Sequence, residues 1–262
     1  MLYEVIRPFR LLHRHLVDKI YPEGSYITER FQVIRKLGSG SYGTTYLCND
    51  TSEFKTCTVK QLRRSRQKRK KYFNMFQQEY DLLKQLSHPS IPAATSFFHT
   101  DDGYFFVMDF VDGENLEQHI FDAKKRYTEN EALQLTIDIA HTVDYLHSRR
   151  IYHGDIRIPN VMLADGRAYL IDFGLAKAFY GKRNTEEQNR MVQDLFDLGD
   201  ILLYLLYTTY EKTNKKALPW TEELTLTPAC KYIVERLLGI KDPFLTASEA
   251  INALEKAKEA AD

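Results

Sequence analysis

Cysteine is scarce: the 262 residues hold only Cys48, Cys57 and Cys230. An odd, dispersed trio without metal-ligand spacing argues against a disulfide framework or a zinc site, and for a reduced, cytoplasmic setting. Long apolar runs are also missing. The densest, Ile201-Leu202-Leu203-Tyr204-Leu205-Leu206, is far too short for a membrane span. Arg7, Arg10 and Arg14 interrupt the apolar start, so no signal peptide is read there. Net charge is absent as well, with 36 Lys/Arg against 36 Asp/Glu, but the balance is uneven. Residues 1–71 hold 16 basic and 6 acidic side chains, which is +10 and leaves −10 for the remainder. A basic front suits contact with polyanions, nucleic acid or an acidic membrane, or a field around an anionic ligand. Hydrophobic content of 44% and charged content of 27% are ordinary for a soluble globular chain, here long enough for a sizeable core.

The most informative stretch is Tyr152-His153-Gly154-Asp155-Ile156-Arg157-Ile158-Pro159-Asn160, followed after the apolar Tyr169-Leu170-Ile171 by Asp172-Phe173-Gly174. A carboxylate, an amide and a second carboxylate in this order fit phosphoryl transfer, where the protein mainly positions groups and neutralises charge. Asp155 can accept a hydroxyl proton, and Asn160 and Asp172 can hold Mg²⁺ against nucleotide phosphates. Asp-Phe-Gly alone is weak; order and spacing of both motifs make the signal strong.

Upstream, residues 1–27 read as an extension. Pro8 can open a helix with Phe9, Leu12, Leu16 and Ile20 on one stripe, and Tyr21-Pro22-Glu23-Gly24 ends it in a turn. Phe31–Leu37 reads as a strand running into Gly38-Ser39-Gly40-Ser41-Tyr42-Gly43, and Thr44–Cys48 as the returning strand. A dinucleotide fold wants a helix after such glycines, whereas β-branched residues here favour a strand. Thr56–Gln61 reads as a third strand carrying Lys60. The helix Tyr72–Leu86 places Glu79 beside an apolar stripe, where it can pair with Lys60 and hold it against phosphates. Between them, Arg63–Lys71 has seven basic residues in nine, spread on all sides of any helix. It reads as a solvated, mobile connector or, more sharply, as a polyanion patch. Ser96–His99 and Tyr104–Phe110 read as a strand pair.

The second half reads as helical. Thr128 and Glu131 form a capping box ahead of Leu133, Ile137, Ala140, Val143 and Leu146. Asp194–Tyr207 is so apolar that near-complete burial is expected. Two amphipathic helices follow in 217–261, the last opened by Thr246 or Ser248.

With these residues in place, the chain resembles the eukaryotic-like (Hanks-type) serine/threonine protein kinases, in a short bacterial form, over about residues 28–255. The resemblance implies an α+β, bilobal fold: a small antiparallel sheet plus one helix (28–111), then a mainly helical lobe (112–262), with ATP between them. It implies an ATP- and Mg-dependent transfer of phosphate to Ser/Thr hydroxyls of proteins. Leu37 to Thr45 corresponds to the phosphate flap (Leu37, Gly38, Ser39, Gly40, Ser41, Tyr42, Gly43, Thr45). Lys60 and Glu79 correspond to the activating ion pair, Met108 to the gatekeeper, and the backbones of Asp109 and Val111 to adenine contacts. Asp155 corresponds to the catalytic base and Arg157 to a γ-phosphate contact. Asn160 and Asp172 correspond to the metal ligands, Met162 to the adenine floor, and Asp194 to the buried anchor of the catalytic loop.

Four departures accompany the resemblance. Gly154 stands where the family has arginine, and Arg157 where lysine is usual. Thr45 and Thr58 replace the residues that cover adenine. The stretch between Gly174 and Asp194 is short and lacks Ala-Pro-Glu, and Phe244 occupies the place of the arginine that would pair with that glutamate. Losing both partners together implies a different stable arrangement, because losing one would strand a charge. A kinase-fold ATPase, a kinase for small molecules or RNA-associated complexes, and a catalytically weak binding module are the alternatives.

Overall fold

The computed structural model describes residues 18–40, 43–211 and 218–260. The proposed N-terminal helix therefore falls largely outside the described residues, as do Ser41 and Tyr42. The packing forms two units: residues up to Ser87 with Pro92–Phe110, and His88–Ile91 with the chain from Val111 onward.

The first unit is a five-stranded antiparallel sheet ordered β1-β2-β3-β5-β4. Its strands are β1 (Phe31–Ser39), β2 (Gly43–Asp50), β3 (Lys55–Leu62), β4 (Ala94–Thr100) and β5 (Gly103–Asp109). Side chains alternate between faces along a strand, and the adjacent Phe105 and Phe106 serve opposite cores. Phe106 meets Phe76 of helix α2 (Lys70–Gln85) at 4.9 Å between ring centroids. Phe105 stacks on Phe98 at 5.1 Å, beneath Tyr21. On α2, Phe76, Glu79, Tyr80 and Leu83 recur at helical spacing and are buried. Tyr21–Gly24 does form a turn: Gly24 takes φ +79 and its N–H donates to Val33 O. Cys48 and Cys57 face each other across β2 and β3, free and buried. Burial pushes both thiols up, to about 12 and about 11, so they stay protonated.

The basic run departs from expectation. Arg64–Gln67 is a short helix, α1, and Asp18 pins it, accepting from Ser65 N at 2.8 Å and from Arg63 at 3.4 Å. Gln67 also donates to Leu62 O. A free connector is thus replaced by a segment tied down by a carboxylate 47 residues earlier.

In the second unit, helix α3 (Glu129–Ser148) begins at the Thr128 cap with both arms of the capping box formed. Its residues Leu133, Ile137, Ala140, Val143 and Leu146 are buried. Short strands flank it: β6 (Glu114–Asn115), before the helix, forms one sheet with β8 (Val161–Ala164) and β9 (Arg167–Leu170), and β7 (Ile151–Tyr152) pairs with β10 (Lys177–Ala178). Helix α4 spans Thr185–Tyr207, starting nine residues before the expected Asp194. The reason is local: Asn184 accepts from Glu187 N, and Glu186 and Glu187 suit the positive end of the helix dipole. Its burial is also less complete than expected. Leu198, Ile201, Leu202, Leu205 and Leu206 are buried, while Phe196 and Tyr204 are exposed. A short turn of helix, α5 (Trp220–Glu223), precedes α6 (Pro228–Leu237) and α7 (Ala247–Glu259), the last capped by Thr246. Phe244 is 2% exposed, with the Arg236 guanidinium 3.9 Å over its ring.

Candidate functional site

In the first unit the glycine-rich turn joins β1 to β2, with Ser39 opposite Thr44 and Gly38 opposite Thr45. Gly40 N donates to Gly43 O at 3.0 Å. The three glycines differ in reason. A side chain on Gly43 would press on Gln61 O, whereas Gly38 and Gly40 face open space. Their bare backbone is therefore accessible to a ligand. Thr45 pairs in register with Lys60 on β3, and Thr58 with Met108 on β5. Thr58 is buried, Met108 partly so and Asp109 exposed. Lys60 Nζ donates to Glu79 Oε1 at 2.6 Å, with side chains 14% and 4% exposed. The pair forms because β3 presents Lys60 toward the inner edge of the α2 stripe.

In the second unit the loop after β7 carries His153, Gly154 and Asp155. Asn160, at the end of a 3₁₀ turn, donates through Nδ2 to Asp155 Oδ2 at 2.8 Å and to Asp155 O at 2.9 Å. One amide thereby fixes both the backbone and the rotamer of Asp155. The Asp155 side chain remains 27% exposed, and its other oxygen meets Arg157 Nε at 3.2 Å. Arg157 itself is 60% exposed. Met162 lies on β8 in register with Asn115. Val111 is buried in this unit.

Asp172 is drawn close to this loop through its neighbour, as Ile171 N donates to Asn160 O at 2.9 Å. Asp172 is exposed and has φ 61, a left-handed conformation uncommon outside glycine. Phe173 is buried edge-on against His153, 4.7 Å between ring centroids. His153 couples the two loops. Its Nδ1 accepts from Asp155 N at 3.3 Å and its Nε2–H donates to Ile171 O at 3.2 Å. Burial holds its pKa below the ordinary value, so the ring stays neutral, as that bonding requires.

Beneath the loop lies Asp194, fully buried. Its Oδ1 accepts from Gly154 N at 2.7 Å, and its Oδ2 from His153 N and His147 Nε2, each at 2.9 Å. One helical turn on, Asp197 Oδ2 accepts from Ile156 N at 3.2 Å. Burial, reinforced by the charges of Asp194 and Asp155, pushes the Asp197 carboxyl up to about 6.

Sequence reasoning missed four side chains of this region: His147, Glu187, Arg190 and Asp197. Glu187 had a signal, being three residues past Asn184 in the cap pattern. Glu187 is 2% exposed and takes a two-pronged ion pair from Arg150, Nε at 2.7 Å and Nη2 at 2.6 Å. This pair stands in a chain that lacks both Ala-Pro-Glu and its arginine partner.

The protein kinase domain family model matches residues 31–196. The probable serine/threonine-protein kinase YbdM of Bacillus subtilis is 41% identical over 235 residues, covering 90% of this chain and 92% of YbdM. Serine/threonine-protein kinase PknA of Nostoc sp. is 27% identical over 269 residues; that match spans 87% of this chain but 47% of PknA. The crystal structure of the Mycobacterium tuberculosis PknI kinase domain aligns with a TM-score of 0.69 at 21% identity, covering 91% of this chain and 100% of that one. At that identity the likeness speaks to the fold: α+β, with an antiparallel sheet and helix followed by a mainly helical unit.

Proposed function

The chain belongs to the protein kinase domain family, and on that premise we propose that it transfers the γ-phosphate of ATP to serine and threonine hydroxyls of proteins. The observation that carries this reading is Asp155: two bonds from Asn160 fix its backbone and one carboxylate oxygen, the other oxygen meets the largely exposed Arg157, and the side chain stays 27% exposed. The similarity to YbdM, over nearly the whole of both chains, supports the acceptor class.

In this reading residues 28–111 are the nucleotide-side lobe, 112–262 the catalytic lobe, and 1–27 an extension. Asp155 takes the hydroxyl proton of the acceptor. The acceptor oxygen forms its bond to the γ-phosphorus as the bond to the bridging β–γ oxygen breaks, and ADP leaves. Arg157 offers a charge-assisted donor to the transferred group. Lys60, held by Glu79, meets the α- and β-phosphates. Leu37 and Thr45 belong to the phosphate flap; Thr58, Met108 and Asp109 on the first unit, and Val111 and Met162 on the second, are assigned to adenine; and the open backbone at Gly38 and Gly40 suits phosphate contact.

Mg²⁺ is retained with a nucleotide by one or two protein oxygens plus phosphates rather than by an all-protein cage. The donor set fits: Asn160, whose Nδ2 is committed to Asp155, keeps its Oδ1, and Asp172, an exposed residue, adds a carboxylate. When bound, the ion neutralises phosphate charge.

No helix among the described residues is long and apolar enough to cross a membrane. A cytoplasmic setting is part of the proposal. So is polyanion contact through Arg63–Lys71, supported by the exposure of Arg64, Lys68, Arg69, Lys70 and Lys71. That contact should weaken steeply with salt; salt-insensitive binding of RNA or acidic vesicles counts against it.

Incubation with labelled ATP, Mg²⁺ and generic protein acceptors tests the main reading. Label should appear on Ser/Thr of protein, and Asp155→Asn should lower transfer by about 10²–10⁴-fold. Label found only as free phosphate or on a small molecule would overturn the reading.

A further inference from the structure

Four polar residues on α4 are spaced three, four and three apart: Glu187, Arg190, Asp194 and Asp197. That spacing puts them on one stripe of the helix. Glu187 grips Arg150, Asp194 grips the N–H groups of His153 and Gly154, and Asp197 grips Ile156 N. Arg190 completes the row. Its Nη1 donates to Leu175 O at 3.1 Å, and Leu175 directly follows Asp172-Phe173-Gly174. The same nitrogen occupies the space beside Gly154, the residue before Asp155, where a Cβ would stand. A side chain added at Gly154 would overlap Arg190 Nη1, with Leu175 O only 3.3 Å away.

We infer that Arg190 is a positioning residue for phosphoryl transfer: its guanidinium is the wedge that ties the loop bearing Asp172 to the loop bearing Asp155. The inference rests on the kinase reading above. Gly154 is glycine for two reasons together. It adopts φ +71, which disfavours any side chain, and the volume a side chain needs is taken by a guanidinium arriving from α4. The reach of the guanidinium matters. It meets Gly154 end-on through Nη1, the same nitrogen that donates to the Leu175 carbonyl, which a compact ammonium does less well. The cation acts on the geometry of the two loops and touches neither substrate nor metal.

The test is Arg190→Ala, with Arg190→Lys beside it. Activity is measured per active site, by titration with a tight nucleotide analogue. Amide hydrogen exchange is followed in the nucleotide-free protein. Misplacement of reacting groups by an ångström costs about 10²-fold, so kcat per site should fall about 10- to 100-fold in Arg190→Ala. KM for ATP should stay within about threefold, since the nucleotide contacts on the sheet are untouched. Arg190→Lys should fall between wild type and Arg190→Ala. Exchange should rise together at residues 153–156 and 175–177. A purely structural role would instead lower the titratable fraction at constant kcat per site, and that result overturns the inference. So does exchange that rises in one loop only.

Gly154→Ala supplies an independent check. Its loss should be smaller in the Arg190→Ala background than alone, because the overlap has gone while the backbone strain is common to both. Equal losses count against the wedge. If wild type transfers no phosphate, the kinase reading fails, yet the paired exchange response still decides whether Arg190 couples the loops.

Discussion

Arg150 and Glu187 join the end of α3 to the first turn of α4. Arg150 stands just past the helix with φ 58 and gives two bonds to Glu187 and a third, at 2.5 Å, to Gly181 O. Tyr152 Oη adds a bond to Glu187 Oε1 at 3.1 Å. Burial and that carboxylate push the Tyr152 phenol up to about 12, so it remains a donor. Glu187→Ala leaves the guanidinium and the phenol facing an empty site, so Tm should fall by at least about 5 °C. Arg150→Met with Glu187→Leu should recover part of that loss. Arg150 holds the Glu187 carboxyl below its ordinary range. A depressed folded value means stability that is present above the unfolded pKa of about 4.3 and lost as pH falls through the lower folded value. Thermal scans between pH 6 and pH 3 should therefore show wild type losing more Tm than the apolar pair does. Parallel curves would contradict this.

Lys60 and Glu79 separate stability from activity. Lys60→Met removes the cation beside a carboxylate that is 4% exposed, so both Tm and transfer should fall, transfer by about 10²–10³-fold. Adding Glu79→Gln removes the charge mismatch and should restore Tm without restoring transfer. Recovery of activity in the double variant would remove Lys60 from the phosphate-binding role.

Asp197 should give a pH signature. Its carboxyl titrates near 6 in the folded protein against about 4 unfolded, so between those values the folded state binds more protons. Its burial therefore costs nothing below about pH 4, costs progressively more as pH rises to about 6, and levels off above that. The partly solvated site limits that cost to about 2 kcal/mol. Asp197→Asn keeps an acceptor for Ile156 N and loses the charge. It should raise Tm at pH 7.5 and leave it unchanged at pH 4. A Tm difference independent of pH would refute the assignment.

Thr185 opens α4 and is exposed. A phosphate there gains bonds only from a cation that faces it. Gly154 offers none, and Arg190 is already engaged with Leu175. Thr185→Ala should keep transfer within about twofold of wild type, well below the 10²-fold scale of a lost positioning contact. Phosphatase treatment should not silence the protein either. A large loss in a folded Thr185→Ala protein would mean that segment phosphorylation is required.

Local chemistry was legible in the chain. Tyr104–Phe110 announced a strand, though not that its two faces serve separate cores, and Thr128 with Glu131 announced the start of α3. Lys60 and Glu79, and Asp155 and Asn160, were singled out from spacing and meet at hydrogen-bond distance. What was not legible depends on residues distant in sequence. The basic run reads as unrestrained until Asp18 is seen against Ser65. The early start of α4 was misjudged because its first turns are polar, and their polar side chains are buried only by partners such as Arg150, 37 residues upstream. Gly154 shows in the sequence as a missing side chain; nothing there says that a guanidinium 36 residues later fills the space.

The stripe on α4 also sets an order of release. Helices fray from their ends, and local opening proceeds in contiguous units of rising free energy. Fraying from Asn184 first frees Glu187 and with it Arg150, then Arg190 and the carbonyl of Leu175. Asp194 and Asp197 lie deeper, where Leu195, Leu198, Ile201 and Leu202 are buried. Warming should thus loosen the segment after Asp172 and the loop around Asp155 together, ahead of the deeper bonds that Asp194 and Asp197 make to the second of them. Function would then be lost in two temperature steps below global unfolding, the first governed by the two outermost turns of a single helix.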